Sequence, residues 1–96
     1  MKLSNRIKEL RESQGLLQRQ LSAQLDIDTP MFSKIERGER RAKREQVLKL
    51  AGLLKADTQE LLTLWLTDQV LEVVLNEEQA LQALKMAEKE LKTKLK

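Results

Sequence analysis

The sequence predicts an all-α protein. Three observations carry this: Leu, Lys, Glu, Gln and Ala dominate, β-branched residues are few and aromatic ones make up 2%, and the chain holds three Gly and one Pro in 96 residues. Good helix formers are abundant, while the side chains that fill strands and the residues that break helices are scarce.

Apolar spacing places six helices. The first is expected over 3–14, where Leu3, Ile7 and Leu10 recur at i, i+4 and i+7 and Gly15 supplies the stop. The second spans 18–25 and buries Leu21 and Leu25. The third spans 29–37: Asp28 is its N-cap, Pro30 fits its first turn, and Gly38 ends it. The fourth covers 43–55 with Val47, Leu48, Leu50, Ala51 and Leu54 inward. The fifth starts where Asp57 and Glu60 form a capping-box pair and runs to about 75. Asn76 is expected to cap the sixth, with Gln79 three residues later.

Composition removes several kinds of chemistry. The chain has no Cys, His or Tyr, hence no thiol or imidazole nucleophile and none of the usual soft metal ligands. No catalytic residue, metal site, cofactor or small-molecule ligand is expected, and the chain is read as no enzyme. No apolar run reaches the roughly 20 residues that span a bilayer, and the N-terminus lacks the apolar core of a secretory signal. A soluble cytoplasmic protein with no membrane partner is the expectation.

Charge is unevenly placed. All seven arginines lie within the first 44 residues; positions 1–45 hold eleven basic and seven acidic residues, net +4, against seven and eight, net −1, in 46–96. A basic N-terminal half suits a polyanionic partner.

The stretch from Leu16 to Gly38 sharpens that reading. It holds two short helices joined by a tight turn, with small residues (Ser22, Ala23) in the middle of the first. Such a unit leaves one face of the second helix projecting, and an α-helix fits the major groove of B-DNA. The run Phe32-Ser33-Lys34-Ile35-Glu36-Arg37-Gly38-Glu39-Arg40 resembles the end of the recognition helix and following loop of the phage-repressor (XRE-type) helix-turn-helix family. The resemblance extends over 3–66 and the order of five helices. It implies a five-helix repressor-like domain over 1–66; the shift in character after about Leu66 marks a C-terminal helical extension over 67–96. Three positions depart from the family pattern: Leu17 stands for the hydroxyl N-cap of the second helix, Asp26 for the turn Gly, and Ser22 for the small residue. Asp tolerates the left-handed turn, and the missing cap costs about 1 kcal/mol unless Gln18 compensates.

The resemblance also implies roles. Thr29, Pro30 and Lys34 align with base-reading positions, and Ser33 shares their face. Lys34 can donate to guanine or to a phosphate, Ser33 and Thr29 can bond a base edge or a phosphate, and Pro30 can meet a thymine methyl. Gln18 resembles a phosphate-contacting Gln at a helix N-terminus, with Arg19 beside it. Arg37, Arg40, Arg41, Lys43 and Arg44 put five cations within eight residues, suited to the DNA backbone. Arg11 and Glu36 resemble a pair that ties the first helix to the third. Phe32 and Ile35 are read as core.

The C-terminal half is expected to do different work. The fifth helix is apolar on nearly every side, and such a helix must be buried all round. The sixth helix (Leu81, Leu84, Ala87, Leu91) together with a second subunit supplies the cover, with Trp65, Val70, Val74 and Leu75 as the dimer contact. The resulting expectation is a homodimeric, sequence-specific regulator that binds double-stranded DNA at a palindromic operator and is nucleoid-associated when bound. The alternative is a helical protein-interaction adaptor, or an antitoxin-type partner, on the same scaffold.

Overall fold

The computed structural model describes residues 2–95, so Met1 and Lys96, the outer ends of the two expected segments, lie outside the described part. The described residues are all-α: α1 (Lys2–Ser13), α2 (Gln18–Gln24), α3 (Thr29–Glu36), α4 (Arg44–Leu53), α5 (Thr58–Val74) and α6 (Ala80–Lys94). No helix among them is long and apolar enough to cross a membrane.

Local chemistry sets the ends. Gly15 (φ +67°) and Gly38 (φ +78°) occupy the left-handed region just beyond α1 and α3, where the missing Cβ removes the steric penalty. Asp26 takes the same conformation (φ 57°) in the α2–α3 turn, as does Lys55 (φ 54°) after α4. The Asp28 carboxylate accepts from the Met31 N–H at 2.7 Å, capping α3. At α2 the missing acceptor is not replaced, and only the reciprocal half of a capping box forms. Gln18 does not stand in for the missing cap; instead Gln20 Oε1 accepts the Leu17 N–H at 2.7 Å.

Two further cap expectations are corrected. Asp57 caps α5 through Gln59 N–H at 3.0 Å, but Glu60 turns away to Arg6, leaving no capping box. Asn76 does not cap α6: the Glu77 N–H bonds back to the Val74 carbonyl in a turn, and the helix begins one turn later, preceded by Gln79.

The core is built from α1 to α5. Ile7, Phe32, Val47, Leu50, Leu54 and Leu61 are fully enclosed, joined by Leu3, Leu21, Leu25, Ile35, Ala42 and Ala51. On α4 the inward stripe is Val47, Leu50, Ala51 and Leu54, spaced i, i+3, i+4 and i+7; Leu48 lies about 100° off it and is exposed, against expectation.

One buried carboxylate ties the ends of the domain together. Asp68 on α5 accepts from the backbone N–H groups of Lys2 and Leu3, each at 3.0 Å. The free donors of the first turn of α1 are thus capped by a residue 65 positions away. Asp68→Ala leaves those donors unpaired and removes a favourable charge from the helix N-terminus, so a loss of about 2 kcal/mol is expected. The midpoint of urea unfolding checks this, and an unchanged midpoint would refute it.

Beyond Asp68 the chain has too little material to enclose α5. Leu66, Val70, Val73 and Leu75 are exposed, and α6 buries none of its residues. Within one chain α5 is therefore not buried all round, and α6 leaves its Leu66–Val70–Val73 face open.

Candidate nucleic-acid interface

α2 and α3 pack against each other around the Asp26 turn. Ser22 is buried at the crossing, its hydroxyl 3.2 Å from that of Thr29, while Ala23 is exposed. Phe32 and Ile35 turn one face of α3 into the core. The opposite face presents Pro30, Lys34 and Arg37 to solvent, with Ser33 half-buried beside them. Arg37 Nη1 donates to Ser33 Oγ at 2.6 Å, so these two act as one polar unit at the helix end.

Buried ionic chemistry orients this helix. Arg11 Nε and Nη2 each donate to a Glu36 carboxylate oxygen at 2.8 Å, a bidentate fork from α1 to α3. Arg11 Nη1 also donates to the Leu16 carbonyl at 2.9 Å, and Gln18 Nε2 donates to Glu36 Oε1 at 3.0 Å. Glu36 is thus held from α1 and α2 together. Burial pushes its carboxyl up, but the Arg11 and Gln18 hydrogen bonds and the Arg11 charge outweigh burial and leave it below the usual carboxylate range. Gln18 sits at the first position of α2 with its amide committed to Glu36, a structural duty that its sequence neighbours do not reveal.

The loop after α3 carries Arg40 and Arg41 toward Lys43 and Arg44 at the start of α4. Within the described residues, Arg19, Lys34, Arg40, Lys43 and Arg44 take part in no ion pair. Two of the expected cations are engaged. Arg37 pairs with Glu39, holding that carboxyl below its usual range, and Arg41 pairs with Glu72 on α5.

α5 braces the same loop. Trp65 Nε1 donates to the Ala42 carbonyl at 2.7 Å, and the Arg44 guanidinium stands 6.0 Å from the Trp65 ring centroid. The polar edge of Trp65 is therefore spent inside the chain. Val70 and Leu75 are exposed and Val74 is half-buried. Sequence reasoning misses Asp68, Glu72 and the Trp65 brace, because each acts on a residue far away along the chain.

A family model described as a helix-turn-helix domain matches residues 2–64. The chain belongs to the helix-turn-helix domain family. Comparison with curated proteins and with solved structures returned no match. The matched span runs from α1 into α5 and includes the Asp26 turn, the Arg11–Glu36 fork and the basic loop. A helix-turn-helix domain is a DNA-binding unit, and this span is consistent with a regulator of the phage-repressor type.

Proposed function

We propose that this helix-turn-helix protein is a sequence-specific transcriptional regulator that binds double-stranded DNA as a homodimer at a palindromic operator, in the cytoplasm and on the nucleoid. The observation that carries the reading is the outward face of α3, where Pro30 and Lys34 are exposed, together with Arg19 on α2 and Arg40 and Lys43 after α3, which are exposed and in no ion pair among the described residues. A helix of this size suits the major groove, and free cations on the neighbouring elements suit the phosphate backbone. Thr29, Pro30, Ser33 and Lys34 read bases. Arg19, Arg37, Arg40, Arg41, Lys43 and Arg44 hold the backbone, with Gln18 adding the second side-chain N–H that its bond to Glu36 leaves over. Val70, Val74 and Leu75, together with the half-buried Trp65, form the subunit contact.

Selection from random duplexes followed by gel shift tests this. An enriched two-fold sequence with half-site centres about 10 base pairs apart is the expected result; failure to bind any duplex at low salt overturns it.

Lys34 gives a sharper test of readout. Lys34→Ala is expected to relax preference at one position of each half-site by about 1–3 kcal/mol. Repeating the selection with the variant checks this. An unchanged consensus with uniformly weaker binding would make Lys34 a phosphate contact instead.

A further inference from the structure

Two apolar stripes on this chain lie largely open to solvent. The first runs along α5 through Leu66, Val70 and Val73, spaced i, i+4 and i+7; these are 50%, 42% and 77% exposed. The second runs along α6 through Ala80, Leu84, Ala87, Leu91 and Leu95, where steps of four, three, four and four residues keep one helix face. Ala80 and Leu84 are half-buried, Ala87, Leu91 and Leu95 are exposed, and no residue of α6 is fully buried. The other sides of α6 carry Gln82, Lys85, Lys89 and Lys92, which belong in water.

The shape agrees with a projecting arm. The radius of gyration is 15.4 Å, where a compact domain of this length has about 12–13 Å. An amphipathic helix whose apolar side is mostly in water gains little from burial and is marginal on its own.

We infer that α6 of one copy lies along the Leu66–Val70–Val73 stripe of a second copy, and that the exchange is reciprocal. The inference rests on the homodimeric reading above and names the occupant of the α5 surface. A second copy is the fitting partner because each chain offers one stripe and one cover, so a two-fold axis satisfies all four surfaces and closes the assembly. The size is adequate. Covering both stripes in both copies removes on the order of 1,000 Å² from water, the threshold that a specific interface has to reach. The seven-residue stripe on α5 spans about 10 Å and the α6 stripe from Ala80 to Leu91 about 16 Å, so the arm is long enough to cross it.

The chain has no cysteine, which permits a clean disulfide test. Val70→Cys is mixed in turn with Leu84→Cys, Ala87→Cys or Leu91→Cys, with Gln82→Cys on the polar side as control, and the mixtures are oxidised. A disulfide needs Cβ atoms about 4 Å apart, so at least one stripe position is expected to give at least about tenfold more heterodimer with Val70→Cys than the control does. Placed in one chain, the same two cysteines are expected to yield covalent dimers. An internally closed monomer from that double variant would show α6 folding back on its own α5 and would overturn the inference. Cross-linking only between two Val70→Cys chains would overturn the exchange while leaving the homodimer standing. A sedimenting monomer with no cross-link would overturn both.

Discussion

Glu36→Ala is expected to destabilise the fold by about 3–5 kcal/mol, the usual consequence of removing one partner of a buried ion pair. The Glu36 side chain is 3% exposed and that of Arg11 12%. Without the carboxylate, the Arg11 guanidinium keeps its bond to the Leu16 carbonyl and a 4.0 Å ion pair with the exposed Glu12, and Gln18 loses its acceptor. A domain of this size has about 5–15 kcal/mol in total, so the variant loses a large share of its margin. Arg11→Met strands the carboxylate in the same way and is expected to cost a similar amount. The double replacement Arg11→Met/Glu36→Leu removes both charges and is expected to recover most of the loss. Urea unfolding of the three variants checks this. Single variants within about 1 kcal/mol of the parent would show that the fork contributes little.

The same pair sets a pH response. The Glu36 carboxyl is held below its ordinary range in the fold, so its stabilising contribution is fully present above the unfolded value of about 4.3 and is lost as pH falls through the lower folded value. The parent is therefore expected to lose stability below about pH 4 more steeply than Glu36→Gln, which has no carboxyl to protonate there. Equal acid slopes for the two would contradict this assignment.

What the sequence makes legible is set by distance along the chain. The Asp28 cap, the left-handed Asp26 and the inward Phe32 and Ile35 are fixed by neighbours within a few residues, where capping and periodicity operate, and all four stand as expected. Leu48 departs from expectation because in a Leu-rich helix the 3.6-residue period leaves two plausible inward stripes, and only the packing of α4 on α5 chooses between them. Glu60 departs because Arg6, 54 residues away, outcompetes the local backbone N–H. Asp68 is invisible for the same reason: nothing near it in sequence announces that its partners are the first N–H groups of α1. Of the candidate interface, the cation-rich loop can be read directly. The acidic side chains that already occupy part of it, Glu39 and Glu72, cannot be assigned partners from sequence.

That occupancy shapes the effect expected at the loop. Replacing Arg40, Arg41 and Lys43 together with Ala is expected to weaken binding of operator and random duplex alike, because phosphate contacts position a protein without reading sequence. Each phosphate left without its cation reduces the slope of log affinity against log salt by about 0.9. Three such phosphates amount to a slope change of about 3 per protomer and an affinity loss on the order of 100-fold per half-site near 0.15 M salt. Arg41 must leave Glu72 to reach a phosphate. Both side chains are about half exposed, and an ion pair of that kind is worth no more than about 1 kcal/mol. The exchange is therefore small against the gain from the polyanion, and Glu72→Gln is expected to raise affinity by about fivefold or less without changing the consensus. Gel shifts across a salt series on parent, triple variant and Glu72→Gln decide the matter. A triple variant that keeps the parent's salt slope would remove this loop from the DNA backbone, and a Glu72→Gln variant that binds more weakly than the parent would mean that Glu72 is needed to hold Arg41 in place.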